Sequence, residues 1–446
     1  MNFAILDVLM LASVAISAAL GVVLLMVYFE LGPVAGLVAR RRWLLVGALG
    51  SGVLTFSLKM FLVVWIAEHP PQPETGSSTL AVGTHKAQAL APEHYRWLPL
   101  DDRSAGLTAS PVRWQALPEP EALSPAQQRL AQLGERLFFE KALSRDHSLS
   151  CASCHDVKQG AGDDGRVTAV GVDGQTGPRN TPTVWNTAYQ TRLFWDGRAD
   201  SLEAQALGPL LNPIEMGMPD AAAVVARIED QPGYRAAFAA AFGDARISAQ
   251  RIASAIAAYE RTLVTGDTPY DHFVRGDLQA LSEAQLRGMA LFESLGCVSC
   301  HAGPNFSAAS RFVQTGAWRA FPTVSTPYQA QFKLSEDTGA GPAGQPRGVW
   351  RVPSLRNVAL TAPYFHNGSV DSLEQAVRIM AAVQLGRTGP MLVWSSREQT
   401  LQRRNAEQLS DAQVDDLVAF LHALSSERLQ AQIAAASSQA ARYAGQ

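Results

Sequence analysis

The four cysteines of the chain form two copies of one short pattern. Each copy is C-x-x-C-H, and its chemistry-bearing residues are Cys151, Cys154 and His155 in the first copy and Cys297, Cys300 and His301 in the second. This pattern is the attachment signature of a c-type haem. Two thiols spaced in this way can each form a thioether bond to the haem, and the imidazole that follows reaches the iron. The sequence therefore predicts two covalently bound haems.

Three other chemistries also use paired cysteines. Zinc sites are assembled from Cys and His pairs, thioredoxin-like redox pairs need a βαβ context, and structural disulfides are common outside the cytoplasm. A histidine directly follows both pairs, and no cysteine lies outside the pattern. Covalent haem at both sites explains this arrangement better than the three alternatives.

Helical patterns surround the two motifs. Ser124 and Pro125 suit the cap and the first position of a helix, and apolar residues follow at helical spacing. Further helices are predicted at 220–229, 248–262, 282–294, 372–384 and 410–424. Loops rich in Gly, Pro and Asn join them, and no series of alternating strands is evident. The stretches GERLFFEK and GMALFES, each just before a motif, form a partial internal echo that predicts two haem domains.

Two apolar runs lie at the N-terminus. Residues 8–29 carry no charge, and residues 43–67 are interrupted only by Lys59. Each run exceeds the length of about 20 residues that spans a bilayer, and a cleaved signal peptide or a buried hairpin are the alternatives. Arginines at 40–42 place the short loop in the cytoplasm by the positive-inside rule. We therefore expect a two-pass protein of the bacterial inner membrane with a periplasmic body.

The predicted organisation has five segments. They are a two-helix transmembrane anchor at 1–68, an extracytoplasmic linker at 69–119, an N-terminal haem domain at 120–270, a C-terminal haem domain at 271–430 and a polar tail at 431–446. The fold class is mainly α, with two c-type cytochrome-like domains packed side by side after the transmembrane hairpin. The low charged fraction, 17% against the usual value of about 25%, suits a membrane segment and two large buried cofactors. A net charge of −3 argues against nucleic acid as a partner.

Long motifs between about residues 124 and 424 resemble the bacterial dihaem cytochrome c peroxidase family, which includes the MauG-like enzymes. The matching stretches are LFFEKALSRDHSLSCASCH, GPRNTPTVWN, FWDGRADSLEAQALGPLLNPIEMG, GCVSCHAGPNFS and RVPSLRNVALTAPYFHNGSVDSLEQAVRIM. They occur in the family's order, whereas the N-terminal runs and the linker lie outside the resemblance.

The resemblance implies roles for individual residues of the first haem site. His155 would be the proximal ligand of the peroxidatic haem, and Gln205 and Glu215 would line its open face, with Pro209 nearby. A carboxylate in an apolar haem site can have its pKa raised for moving a proton between the two oxygens of a peroxide. Trp195 would lie between the haems and assist electron transfer.

The resemblance also implies a second haem ligated by His301 and Met380, with Met391 as the spare candidate. A thioether ligand raises the haem potential, which suits an electron reservoir. The MauG-like branch has a Tyr at this position, and no Tyr occurs between Tyr364 and Tyr443. Calcium is implied as well, bound by the residues that match the family's bridging site, namely Asn180, Thr361 and Pro363.

One departure concerns the loop after the first motif. Many dihaem peroxidases have a His there that caps the peroxidatic iron until the second haem is reduced, and this chain has Val172. His147, before the motif, is expected at the surface. The first haem is therefore predicted to be open in the fully oxidised protein.

Three functions follow from the sequence. The leading one is a peroxidase that reduces hydrogen peroxide to water with electrons relayed from the second haem to the first. The second is a MauG-like oxidase that modifies side chains of a partner protein, and the third is a non-catalytic membrane-tethered electron carrier. The expected partners are hydrogen peroxide, a small donor cytochrome or another periplasmic or membrane redox protein, the cytoplasmic membrane and, as one assembly, a second copy in a homodimer.

Overall fold

The computed structural model describes residues 114–314, 316–341, 348–395, 400–406 and 408–444. These residues belong to one compact unit, Val82–Gln446. They include both C-x-x-C-H motifs and every site residue that the sequence singled out.

The predicted membrane topology needs correction. In the part of the chain that the structure describes, no helix combines the length and the apolar character needed to cross a bilayer. The runs at 8–29 and 43–67 lie outside the described residues. The localisation predicted from the sequence, a two-pass inner-membrane protein, is contradicted, because apolar length alone does not establish a spanning helix.

The described residues are mainly helical, as predicted. In chain order the helices are α1 Pro125–Phe138, α2 Cys151–Cys154, α3 Leu202–Leu211, α4 Ala221–Glu229, α5 Tyr234–Phe242, α6 Ala249–Glu260, α7 Pro269–Val274, α8 Glu283–Ser294, α9 Pro327–Gln331, α10 Leu373–Val383, α11 Asp411–His422 and α12 Glu427–Ala444. The stretches predicted at 220–229, 248–262, 282–294, 372–384 and 410–424 correspond to α4, α6, α8, α10 and α11. At the start of α1 the Ser124 hydroxyl accepts from the Gln127 amide, and Pro125 occupies the first turn, because a proline there removes no helical hydrogen bond.

Two short antiparallel pairs of strands complete the described secondary structure. Strand β1 (Trp318–Phe321) pairs with β2 (Gly348–Arg351), and Trp318 lies opposite Arg351. Strand β3 (Gly389–Ser395) pairs with β4 (Thr400–Ala406). Strand β2 brings Trp350 and Arg351 to the neighbourhood of the second haem motif.

Two large hydrophobic cores and one small cluster around Leu193 lie in the described part of the chain. The first contains buried residues of α1 and α3–α6, and the second contains buried residues of α7, α8, α10 and α11. Each core also takes residues from the opposite end of the chain. Trp114 packs in the second core, and Leu429 of α12, with no exposed surface, packs in the first. Burial of a leucine contributes about 1.5–3 kcal/mol, so these exchanged segments help to join the two halves.

A glycine marks the closest helix crossing in each core. A Cβ at Gly134 of α1 would lie 1.8 Å from the Ala255 carbonyl oxygen of α6, and one at Gly288 of α8 would lie 1.8 Å from the Asp416 carbonyl oxygen of α11. These glycines begin the two echoed stretches before the haem motifs. The repeated stretch therefore reflects the same packing requirement in both halves: a glycine lets its helix contact the backbone of the partner helix.

A second repeat relates the loops and helices that follow the motifs. Residues 180–209 repeat as 351–380, with the shared elements N-x₇-F, a glycine at positive φ and the sequence DSLE. The backbone repeats as well, because Asn186 and Asn357, then Phe194 and Phe365, all have left-handed φ. In this repeat α3 corresponds to α10, and Pro209 corresponds to Met380.

Candidate haem sites

The first motif forms a single helical turn, α2. The amide of His155 donates to the Cys151 carbonyl at 2.8 Å, and the His155 Nδ1 lies 3.1 Å from the carbonyl oxygen of Gly162. Gly162 has φ +81°, and a Cβ there would lie 2.8 Å from Thr183 Oγ1. A proton on Nδ1 donated to this carbonyl leaves Nε2 free as a ligand, the usual arrangement of a metal-binding histidine.

In the second motif the histidine is oriented in the same way, although the motif begins with a 3₁₀ turn and not with an α-helix. A 3₁₀ turn spans Cys297–Ser299, and the Nδ1 of His301 lies 3.1 Å from the carbonyl oxygen of Phe306. Phe306 has φ +48°, a left-handed conformation that aims its carbonyl at the imidazole. Burial lowers the pKa of His301 to about 4, which keeps the ring neutral and able to bind a metal at neutral pH.

The thiols of both motifs are unpaired. None of the cysteines is in a disulfide, and burial raises the pKa of Cys151 and of Cys297 to about 12. A redox-active pair requires the opposite shift, toward the thiolate. No group of three or more His, Cys, Asp or Glu side chains able to hold a metal ion occurs among the described residues. These observations favour thioether attachment over disulfide, redox and zinc chemistry.

A cavity of about 280 Å³ opens beside the second motif. Cys297, Cys300 and His301 line it together with Met380 of α10. Most of the remaining wall is apolar, and it is built from residues of β1, β2, α10, α11 and the neighbouring loops. Two thiols, an oriented imidazole and an apolar wall fit a c-type haem, and the residues that would hold it here are those of the motif together with Met380.

The repeat explains why the two sites differ. Helices α3 and α10 occupy corresponding places, and the position of Met380 on α10 is taken by Pro209 on α3. A thioether can bind iron, whereas a proline side chain has no donor atom. The corresponding helices therefore carry a possible iron-binding side chain at the second site and none at this position of α3.

Glu215 lies in the turn after α3, close to the first motif. Its Oε1 accepts from Asn212 Nδ2 at 2.7 Å. Burial raises the pKa of Glu215, against the opposing effects of the Arg198 charge and the Asn212 hydrogen bond. Burial and the nearby charges of Asp164 and Glu215 also raise the pKa of Cys154 to about 11, which shows that Glu215 and the motif are near each other. Gln205 is half-buried on α3.

Trp195 lies where the two repeats meet. Its indole Nε1 donates to the Asn180 carbonyl at 2.8 Å, and the Asn180 amide donates to the His366 carbonyl at 2.8 Å. The ring of His366 lies 6.5 Å from Trp195, edge on, and stacks on Trp350 at 4.0 Å. His366 corresponds to Trp195 in the repeat, and both residues line the cavity beside the second motif.

The predicted calcium ligands Asn180, Thr361 and Pro363 all line this cavity. Asn180 Nδ2 donates to the Arg166 carbonyl at 2.8 Å. Its Oδ1 accepts no hydrogen bond from the described residues, so an oxygen donor is free for a hard cation.

Comparisons with known proteins point to one family. Residues 128–279 match the family described as Di-haem cytochrome c peroxidase. Cytochrome c551 peroxidase of Pseudomonas aeruginosa is 38% identical over 79% of this chain and 92% of that protein. Methylamine utilization protein MauG of Methylophilus methylotrophus is 34% identical over 72% of this chain and 89% of that protein. A solved MauG-like protein associated with microbial copper homeostasis is 31% identical, with a TM-score of 0.55, and covers 72% of this chain and 96% of that one.

The chain therefore belongs to the di-haem cytochrome c peroxidase and MauG family. It is an oxidoreductase of the cytochrome c peroxidase type, and the family carries two c-type haems, as the paired motifs predict.

Several residues of the sites were not found from the sequence. Gly162 and Phe306 act through backbone carbonyls, which carry no side-chain signal. His366 and Arg351 belong to the repeat 180–209 and 351–380, and comparison of these two stretches would have marked both as counterparts of Trp195 and Asn180.

Proposed function

We propose that this protein reduces hydrogen peroxide to water, with electrons that enter at the second haem and pass Trp195 to the first. The single observation that carries the proposal is Glu215, a half-buried carboxylate with a raised pKa beside the first motif. The haem iron supplies the redox chemistry. The balance is hydrogen peroxide with two electrons and two protons to two water molecules.

Glu215 moves a proton in this proposal. As a carboxylate it would take a proton from one oxygen of the peroxide and give it to the other, which leaves as water. Asn212 holds Oε1 and so fixes the direction of the carboxyl group. Gln205, on the helix above, orients the peroxide by its side-chain amide.

The second haem serves as the electron store. His301 and Met380 lie on the walls of one cavity, so both can bind the same iron. The thioether raises the potential relative to a second imidazole, which lets this haem accept electrons from a donor cytochrome. The two cores support the division into haem domains at 120–270 and 271–430.

Calcium is proposed at Asn180, with the carbonyl oxygens of Thr361 and Pro363. The free Oδ1 and the shared cavity wall support it. Calcium there would hold the repeats 180–209 and 351–380 together around Trp195. The homodimer stays a prediction.

One observation favours a MauG-like oxidase as the second candidate. The amide of Val172 donates to the Glu215 carbonyl at 2.9 Å, and the Val172 side chain is buried. The loop thus packs against the Glu215 turn with a valine where a capping His would stand. His147 is exposed at the surface, as predicted, and its Nε2 lies 2.6 Å from Arg227 Nη1. An open first site in the oxidised protein suits long-lived oxidation of a partner.

Stopped-flow spectroscopy with peroxide separates the two candidates. Rapid oxidation of an added reduced small cytochrome supports the peroxidase. An oxidised protein that persists beside the reduced cytochrome supports the oxidase and refutes the leading proposal. A low-spin first haem in the oxidised protein would contradict the open site.

Glu215→Gln tests the proton transfer directly. The amide keeps the acceptor for Asn212 and the size of the side chain but cannot carry the proton, so peroxide turnover is expected to fall by about 10²–10⁴-fold. Glu229→Gln is the matched control, since Glu229 pairs with Arg235 at the surface and should leave turnover unchanged. Unchanged turnover in Glu215→Gln would reject the assignment.

A further inference from the structure

Arg351 is a buried cation that makes no direct ion pair with the described residues; Asp196, which is paired with Arg179, acts on it only as a nearby charge. Arg351 is 3% exposed. Its Nε donates to the Phe194 carbonyl at 2.8 Å and its Nη1 donates to Gln190 Oε1 at 2.7 Å, so both acceptors are neutral. Within the described residues it forms no ion pair, and Nη2 has no acceptor. A buried guanidinium without a counter-charge is costly, because burial removes the hydration of the charge.

Two other arginines that are buried or half-buried in the described residues are paired with carboxylates. Arg356, also buried, pairs with Asp271, and Arg179 pairs with Asp196 and Asp337. Burial lowers the pKa of Arg351 to about 10, which still leaves it charged at neutral pH. Of the two arginines that are buried in the described residues, Arg351 is therefore the one without an ion pair.

The place of Arg351 indicates what the anion is. Arg351 lines the cavity that holds His301 and Met380, and its backbone amide donates to the Trp195 carbonyl at 3.0 Å. The same wall holds His366, and neither of its ring nitrogens makes a hydrogen bond with the described residues. A haem is an apolar ring with two carboxylates, so it matches an apolar cavity with polar groups left unpartnered at one side.

We propose that Arg351 is the counter-charge for a haem carboxylate at the second site, with Nη2 as the donor. Gln190 and the Phe194 carbonyl fix the guanidinium through Nη1 and Nε, so Nη2 stays free to donate. Charge-assisted hydrogen bonds of this type are stronger than neutral ones. The proposal concerns how the second haem is bound, so it applies to a peroxidase and to an oxidase alike.

A fixed positive charge beside a haem carboxylate changes the midpoint potential of the second haem. It stabilises the reduced iron relative to the oxidised iron, so it raises the midpoint potential. Arg351→Gln removes the charge, and Arg351→Lys retains it while losing the planar fork. Arg311→Gln is the matched control, since Arg311 is exposed and has no ion pair in the described part of the chain.

Spectroelectrochemical titration of the holoprotein measures the potential, and resonance Raman bands of the haem carboxylate groups report the contact itself. In Arg351→Gln the reduction equilibrium of the second haem should shift about tenfold toward the oxidised form, 59 mV for one electron, with altered carboxylate bands. Arg351→Lys should recover at least half of the shift in potential, and Arg311→Gln should change neither readout.

Two results would overturn the proposal. One is an unchanged potential with unchanged carboxylate bands in an Arg351→Gln protein that contains both haems. The other is an equal fall in potential in Arg351→Lys, because that would show loss of packing rather than loss of charge. If Arg351→Gln does not fold, the Raman bands of Arg351→Lys decide, since a lysine cannot reproduce the fork.

Discussion

The buried ion pair of Arg356 and Asp271 makes the most direct stability prediction. Both side chains are 0% exposed, and the two guanidinium–carboxylate distances are 2.5 and 2.9 Å. Arg356→Met keeps an unbranched chain of similar length among the surrounding rings but leaves the Asp271 carboxylate buried without its cation. Removal of one partner of a buried pair costs about 3–5 kcal/mol, and the Thr268 hydroxyl and the Leu117 amide still donate to Asp271. We expect a loss within that range.

The same substitution should disturb the second haem. Arg356 Nε donates to the Pro304 carbonyl at 2.8 Å, in the loop that leads to Phe306. The Phe306 carbonyl in turn orients the His301 ring. Loss of the Arg356 anchor should therefore weaken the iron–ligand bonds of the second haem, seen as a change in its low-spin spectrum at urea concentrations below the unfolding transition.

Urea unfolding of the holoprotein, followed by tryptophan fluorescence, measures the stability. Trp114, which packs against Phe306 in the second core, is one of the nine tryptophans that contribute to this signal. Arg378→Met is the control, because Arg378 pairs with a 90% exposed Asp411 and exposed pairs contribute about 0–1 kcal/mol. The double variant Arg356→Met with Asp271→Leu should recover part of the loss. A loss in Arg356→Met no larger than in the control would refute the reasoning.

Four further outcomes are expected. Gly288→Ala should lower the free energy of unfolding in urea by about 1–3 kcal/mol, because the new Cβ would lie 1.8 Å from the Asp416 carbonyl oxygen. An unchanged free energy of unfolding would contradict the close contact between α8 and α11. Gly162→Ala should perturb the electron paramagnetic resonance signal of the first haem alone, since the positive φ and the Thr183 contact forbid a Cβ while the carbonyl orients His155. Met380→His should lower the midpoint potential of the second haem, and an unchanged potential would reject Met380 as its ligand. Burial raises the pKa of Glu260 from 4.5 to about 8, so the folded state holds this proton more tightly than the unfolded state. Wild-type stability should thus fall by about 1.4 kcal/mol per pH unit between these values, and Glu260→Gln should remove the fall.

The helices around the motifs were predictable because their signals are local. Ser124, Pro125 and the spacing of apolar residues define α1, and the same kinds of signal define α4, α6, α8, α10 and α11. The short strands β1–β4 were not found. Strand β2 is only Gly348–Arg351, and its partner β1 lies across a long loop, so no alternation develops in either segment.

The predicted two-pass localisation is contradicted. Apolar length was used as evidence for spanning helices, and the structure has no such helix in its described part. The assignment of Met380 depended on the family resemblance, because a methionine on an apolar helix face is more often a core residue. The structure places it in one cavity with His301, a relation that helical periodicity does not contain.

What the sequence by itself determined is the covalent chemistry. The elements of C-x-x-C-H are adjacent in the chain, so a single turn of backbone at Cys151 or Cys297 is enough to present the thiols and the imidazole together. Only the tertiary structure decided which polar groups share a cavity with the second motif. The contacts of Arg351 with Phe194 and Gln190 join residues 157 and 161 positions apart. No local pattern encodes such contacts, because they arise when the two repeats fold against each other and the cost of burying charge selects the partners.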